Sequence, residues 1–491
     1  MNNPLFNTDF YKTGHYAQYP DGTEEIYNNF TPRSNKIALL SNPDQSGMIV
    51  VAGIQPWLFQ LEAEWQEEFF KRPVEEVVGE YLAECDMALG AGRVTGDHVR
   101  ALHALGYLPI EVRALPEGSL CPIGVPPITI RSTDPAGFWL PNYLETEQSV
   151  ALWMPMTSAT TAFAFRRLLE DYARETGGSK EFVKFQGHDF SYRGHGSRQS
   201  AIASGIAHLS VFSGTDTVPA IPAIRRYYGD KGFIGGSVAA TEHSVMCAGG
   251  QDDELATYRR LLTEVYPAGI VSVVSDTWDY WKVLTEILPK LKSVIMERDG
   301  RLVVRPDSGD PVAIVCGDPK APVGSPAYKG TIELLWELFG GTTNAKGYRT
   351  LDTHIGCIYG DSINYARAEA ILEGLKRKGF ASDNIVFGIG SFTYQYVTRD
   401  TYGWAVKATS AVVNKVRRAL FKDPATDNGT KRSAKGLLRV VRLESGALQL
   451  RQDQTEAEER QSALQVVYRN SEWVAWTDFA TVQKRVDSYF E

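Results

Sequence analysis

The stretch IVSVVSD (270–276), followed by RLVVRPDSG (301–309), decides the fold. Each is a short apolar run that stops abruptly in a small polar cluster. Working outward, the same unit occurs as GGSVAATEH (235–243), HLSVFSGTD (208–216) and FVKFQGHDFSYRG (182–194) on one side. IGCIYGDS (355–362) and IVFGIGS (385–391) follow on the other. Intervals between the closing residues Asp189, Asp216, His243, Asp276, Asp307, Asp361 and Gly390 are 27, 27, 33, 31, 54 and 29. About thirty residues is the length of a strand plus a returning helix, so the pattern predicts successive βα units. Parallel strands bring their C-terminal ends to one face, where barrel enzymes carry their chemistry. Here those ends hold Asp, His, Arg, Ser and Gly.

The fold class expected is therefore α/β: an incomplete parallel α/β barrel over 151–398, beside a discontinuous β-rich second domain. The second domain would combine 1–150 with 399–491. The first piece contains EEIYNNF, a helical region from about Pro56 to Gly90, and a stretch broken by Pro and Gly as turns require (107–133). Asp134 and Pro135 open a helical region through Tyr172. The last piece reads as hairpins around Ser445-Gly446 and Asn470-Ser471. It is too small to stand alone, so it is expected to pack on the first.

At 491 residues, with 43% hydrophobic and 22% charged residues, the chain has the composition of a globular protein of more than one domain. A net charge of −8 argues against nucleic-acid or anionic-membrane partners. Local basic spots at Lys415–Arg418 and Lys431–Lys435 could still hold phosphates. Five scattered cysteines read as reduced thiols, which places the chain in the cytoplasm. No apolar run approaches 18 residues, so no membrane span is expected. There is no GxxxxGK[ST] loop, no HExxH or CxxC and no GxSxG, which disfavours a P-loop, a zinc site and a serine hydrolase.

Arg305 and Asp307, two apart on an emerging strand, point the same way and set a cation and a carboxylate over one pocket. Such a pair suits phosphate plus hydroxyls, and equally a structural ion pair. Gly360-Asp361 and Gly390-Ser391 each join a strand to a helix, where backbone N–H groups cradle phosphate or simply form a turn. His243 is either catalytic or a satisfied core histidine. Asp189, Asp216 and Asp276 are each by default helix N-caps, although their recurrence favours a hydroxyl-binding pocket.

These residues carry a resemblance. TDFYKTGHYAQYP (8–20), GHDFSYRG (187–194), GTDTV (214–218), EHS (242–244), SVVSD (272–276), RPDSG (305–309), GDSIN (360–364), TRD (398–400) and FKDPATD (421–427) stand in the order and spacing of the nicotinamide phosphoribosyltransferase family, over essentially the whole chain. The resemblance implies a type II phosphoribosyltransferase working as a homodimer with sites shared between subunits. It implies nicotinamide and 5-phosphoribosyl 1-pyrophosphate as substrates, and Mg²⁺ together with ATP, hydrolysed through a phosphohistidine. By the same carry-over, Phe190 and the partner copy's Tyr11 sandwich the pyridine ring, and Asp216 accepts from the carboxamide. Arg193 and Arg305 hold pyrophosphate, while Asp307, Ser272, Gly360 and Asp361 face ribose and amide. Gly390 and Ser391 receive phosphate, with Arg33, Arg399 and Lys407 reaching the 5-phosphate. His243 is the phosphorylated histidine, oriented by Asp276 and Glu242. No resident metal site is expected. Where the family has Gly-Gly-Gly the chain has Gly390-Ser391-Phe392, and Phe392 is expected to narrow the loop.

The nearest alternative is a nicotinate-specific relative. Asp216 disfavours it, because a carboxylate repels a carboxylate substrate. A non-catalytic nucleotide-binding protein of the same fold is the other alternative.

Overall fold

A computed structural model describes residues 3–38, 47–422 and 434–491. The basic spot beginning at Lys431 and most of FKDPATD therefore lie outside the described residues.

All seven polar-tipped units contribute a strand to one sheet. In spatial order the strands are Gly214–Thr215, Gly187–Asp189, Val386–Ile389, Ile355–Tyr359, Asp299–Arg305, Ala268–Val274 and Ala239–Ala240. Every neighbouring pair is parallel. The two edges meet at a single parallel bridge between Gly214 and Gly236, so the sheet curls into a nearly closed barrel. Val271, Val273, Val274, Leu302 and Val304 are buried, as β-branched and aliphatic residues are when helices cover a parallel sheet. Helix Tyr365–Arg377 illustrates the outer layer. Asn364 caps it by accepting from Arg367 N, and Ala368, Ile371, Leu372 and Leu375 form one buried stripe against the barrel. Each of those aliphatic side chains contributes about 1.5–3 kcal/mol by leaving water.

Two apolar runs differ from the sequence reading. FVKFQ is not strand but the end of helix Lys180–Gln186, whose N-terminus Ser179 caps by accepting from Phe182 N at 3.2 Å. HLSVF begins in the last turn of helix Arg198–Leu209, leaving only Gly214–Thr215 as strand. Short apolar runs do not distinguish strand from buried helix, and here the upstream cap decides. The capping role of the three aspartates is not realised either. The helices that follow start after Ser197, Pro219 and Asp279, which leaves Asp216 and Asp276 to the rim, whereas Asp189 is fully buried and accepts from Ser191 N.

The second sheet is antiparallel, in the order Val416–Ala419, Ala405–Val413, Thr23–Thr31, Ile128–Ser132, Ile110–Ala114, Gln465–Arg469 and Glu472–Trp473. Strand Thr23–Thr31 thus lies between a late strand and an early one. Both expected hairpins form, and Asn470 and Ser471 take the positive φ that a two-residue turn needs. Helix Glu145–Thr176 links the two bodies: Leu152 and Met156 lie in the core of the antiparallel part, Ala159 to Ala173 in that of the barrel. The chain end is not wholly β. Helix Phe479–Asp487 returns to the barrel, where Phe479 and Val482 pack with Ile206 and Ile224. No helix among the described residues is long and apolar enough to cross a membrane.

Candidate active site

A cavity of about 760 Å³ runs through the barrel, from Asp299, Gly300 and His354 where strands begin to His188, Phe190, Asp216, Ser272 and Arg305 toward their C-terminal ends, with Ser237 also on its wall. Phe190 is held by glycine. A Cβ at Gly388 would lie 2.4 Å from its ring and one at Gly360 3.0 Å, so only glycine at both positions lets the ring lie flat on the strand ends. His188 sits two residues earlier on the same side, its ring 5.0 Å from that of Phe190. Its Nε2 is 3.1 Å from Asp216 Oδ1, which also accepts from Ser237 Oγ. Burial pushes the Asp216 carboxyl up, but the His188 and Ser237 hydrogen bonds, with the charge of Arg305, outweigh it and hold the pKa below the usual value. Asp216 is accordingly an ionised acceptor beside an aromatic platform. Ser272 is buried, and its hydroxyl has no protein partner.

Arg305 is not paired with Asp307. Its Nη2 donates to Thr241 O at 2.7 Å, and its Nε is buried without a partner. Asp307 turns to His243, with Oδ2 3.8 Å from Nε2; Asp276 Oδ1 lies 3.9 Å from the same nitrogen. His243 Nδ1 is 3.2 Å from Thr277 Oγ1. Asp276 is fixed from behind, its Oδ2 accepting from Asp307 N (3.0 Å) and Ser308 Oγ (2.5 Å) while Oδ1 is buried and unpartnered. Thus His243 is a half-exposed imidazole at a helix start, not a core histidine. Glu242, expected to orient it, accepts from Ser244 Oγ instead.

Gly360 lies between the two groups: a Cβ there would be 3.0 Å from Phe190 and 3.4 Å from Asp307 Oδ1. Asp361 follows on an exposed turn in which Ser362 takes φ 49°. Arg193 is exposed in the short helix Tyr192–Gly194, and Gly194 presses on Ser391, where a Cβ would come within 2.1 Å of the serine's own. Gly390 precedes the helical turn Ser391–Tyr394. Phe392 does not narrow that loop toward the large cavity: its ring packs on Tyr396 at 4.8 Å beneath Arg367.

Four expected residues lie elsewhere. Tyr11 is exposed on helix Phe10–Thr13, its ring 5.1 Å from that of His15. Arg33 Nε donates to Gly403 O at 2.8 Å, in the turn that begins at Arg399. Lys407 pairs in register with Asn29. Burial lowers the Lys407 pKa, and although Glu145 opposes this, the charges of Arg33, Lys422 and Lys12 lower it further, which makes these cations one cluster. None of the four lines the barrel cavity, and of the other expected residues only Phe190, Asp216, Ser272 and Arg305 do. His188, Ser237 and Thr277 were missed from sequence. For His188 the signal was present, since period-two alternation puts it on the same side as Phe190.

The model of the "Nicotinate phosphoribosyltransferase (NAPRTase) family" matches residues 185–472. The chain is 50% identical over 497 residues to the nicotinamide phosphoribosyltransferase of Acinetobacter baylyi, covering 100% of this chain and 98% of that protein. It is 36% identical over 462 residues to the one from Mycoplasma pneumoniae, covering 88% and 94%. In fold it is similar to nicotinate-nucleotide pyrophosphorylase from Pyrococcus furiosus (TM-score 0.59, 14% identity, 99% and 95% covered). It is also similar to human nicotinic acid phosphoribosyltransferase (TM-score 0.53, 14% identity, 98% and 93% covered). A family model that matches more than half of the chain, and a relative 50% identical along its whole length, lead to one conclusion: the chain belongs to the nicotinate phosphoribosyltransferase family.

Proposed function

We propose that the protein transfers the phosphoribosyl group of 5-phosphoribosyl 1-pyrophosphate to nicotinamide, giving nicotinamide mononucleotide and pyrophosphate in NAD salvage. The observation that carries the choice of amide is Asp216. It is ionised, fixed by His188 and Ser237, and sits beside the Phe190 ring. A carboxylate accepts from an amide NH₂ and repels nicotinate.

In this reading Phe190 holds the neutral pyridine nitrogen in line with the anomeric carbon, a positioning effect. Arg305 and Arg193 offset the charge that develops on departing pyrophosphate. Asp307 and Asp361 face the sugar, on which positive charge grows, with Ser272 and Gly360 completing that wall. Gly390 and Ser391 offer backbone N–H groups to phosphate. Tyr11, Arg33, Arg399 and Lys407 serve the site of a second copy in a homodimer, since within one chain they lie apart from the cavity. His243 would take the γ-phosphoryl group of ATP on Nε2 and release it to water, while Nδ1–H is held by Thr277. Asp276, whose Oδ1 is buried without a hydrogen-bond partner, and Asp307 would hold a Mg²⁺ brought in with the phosphates, which would offset their charge. Five free thiols fit a cytoplasmic setting.

Steady-state product formation from nicotinamide and from nicotinate, each with and without ATP, tests this. We expect preference for nicotinamide and stimulation by ATP, with loss of ATP hydrolysis but residual transfer in His243→Ala. Preference for nicotinate, or full ATPase activity in that variant, contradicts the corresponding assignment.

A further inference from the structure

The loop that carries Phe190 and Arg193 is braced by a chain of side chains on its inner side. Asp189 is fully buried, and its Oδ1 accepts from Ser191 N at 2.9 Å and Ser191 Oγ at 2.6 Å. Ser191 Oγ lies 2.9 Å from His195 Nε2, and His195 Nδ1 lies 2.8 Å from Gln395 Nε2. The proton positions follow from the carboxylate end. Ser191 Oγ donates its single hydroxyl proton to Asp189 Oδ1. His195 Nε2 must then be the N–H that donates to Ser191 Oγ, and the bare Nδ1 accepts from the Gln395 amide. A neutral imidazole satisfies every link, and burial favours that form, with the charge of Asp189 opposing.

Gln395 belongs to the turn that contains Gly390 and Ser391, since its N donates to Ser391 O at 2.8 Å. Phe190 N also donates to Ile389 O at 3.0 Å, and Gly194 abuts Ser391. The next residue back, Tyr394, ends in a second brace. Its hydroxyl is 2.7 Å from His208 Nδ1, and His208 Nε2 is 2.9 Å from Gly214 O, two residues before Asp216. Two imidazoles therefore tie the 391–395 turn to the ring-binding strands, one through the Phe190 loop and one through the Asp216 strand.

We propose that His195 is a positioning residue that couples the two subsites. Through Ser191 and Asp189 on one side and Gln395 on the other, it fixes the Phe190 platform relative to the Gly390–Ser391 junction. Ordering of the junction by phosphate is thereby transmitted to the pyridine subsite, and occupation of either site tightens the other. This rests on the assignment of those two subsites above.

The test is the KM for nicotinamide measured at low and at saturating phosphoribosyl donor, with thermal melting as a control of fold. In the parent the KM falls as donor saturates, by several-fold. His195→Leu, similar in size but unable to donate or accept, abolishes that dependence, whereas His195→Gln, which can do both, keeps it. A Leu variant that retains the dependence overturns the proposal, as does equal loss in the Leu and Gln variants. Should His195→Leu fail to fold, Gln395→Leu at the far end of the chain loses the dependence too, and its retention there overturns the proposal. An unchanged nicotinamide KM in Phe190→Ala would strike the subsite assignment itself.

Discussion

The parallel rim and the antiparallel domain both carry cations, but they hold them in opposite ways. On the rim, Arg305 comes from a strand whose neighbours deliver Asp216, Asp276, Asp307 and His243 within the same chain. In the antiparallel domain, Arg33, Arg399 and Lys407 gather around one strand made from near the chain's start and another from near its end. No residue of that cluster enters the cavity. On the assignment proposed above, one chain supplies the groups for the ring and the leaving group, and a second copy would bring in the cations of the antiparallel domain.

The strongest way to break this contrast is Arg305→Ala. If the rim supplies the leaving-group cation, kcat/KM falls by ~10²–10³, as for a preorganised donor in a closed site. A loss below tenfold in steady-state kinetics would move that role elsewhere. The sharing of sites is tested by mixing Tyr11→Ala and Arg193→Ala proteins after dissociation and reassembly. Each alone is weak, while a random mixture should recover about a quarter of parental activity, because half the dimers are mixed and each has one intact site. Absence of recovery would show that Tyr11 and Arg193 do not meet across two chains. Within the rim, Asp216→Asn should reduce the preference for nicotinamide over nicotinate by ~10-fold, on the scale of one hydrogen bond to a charged group. Competition between the two bases reads this directly.

The smallest expected effect is on pH. The Lys407 pKa is lowered, by burial first and by neighbouring cations after it, so its charge is lost below the ordinary lysine value of 10.5. If donor binding uses the charged form, affinity declines as pH rises through that lowered pKa. Lys407→Arg, charged throughout, should flatten the alkaline limb of the donor KM profile. An unaltered limb would assign it to another group.

The parallel half was legible in the sequence because its signal is local. An apolar run is followed by a polar tip, the unit recurs at about thirty residues, and the handedness of βα connections then forces the tips to one face. Period-two alternation also made His188 readable beside Phe190, although it was overlooked. FVKFQ and HLSVF misled because an apolar run of five residues is compatible with either periodicity, and the capping Ser179 and the length of the preceding helix settled it.

What the chain order alone determined is the βα rhythm, the polar rim and the hairpins, each encoded within about thirty residues. Tertiary structure alone decided that Arg305 ignores Asp307 for Thr241 O, that Asp307 turns to His243, and that His195 meets Gln395 two hundred residues away. The physical reason is that hydrogen-bond partnership depends on separations of about 3 Å between groups distant in sequence, and only the packed barrel sets those separations.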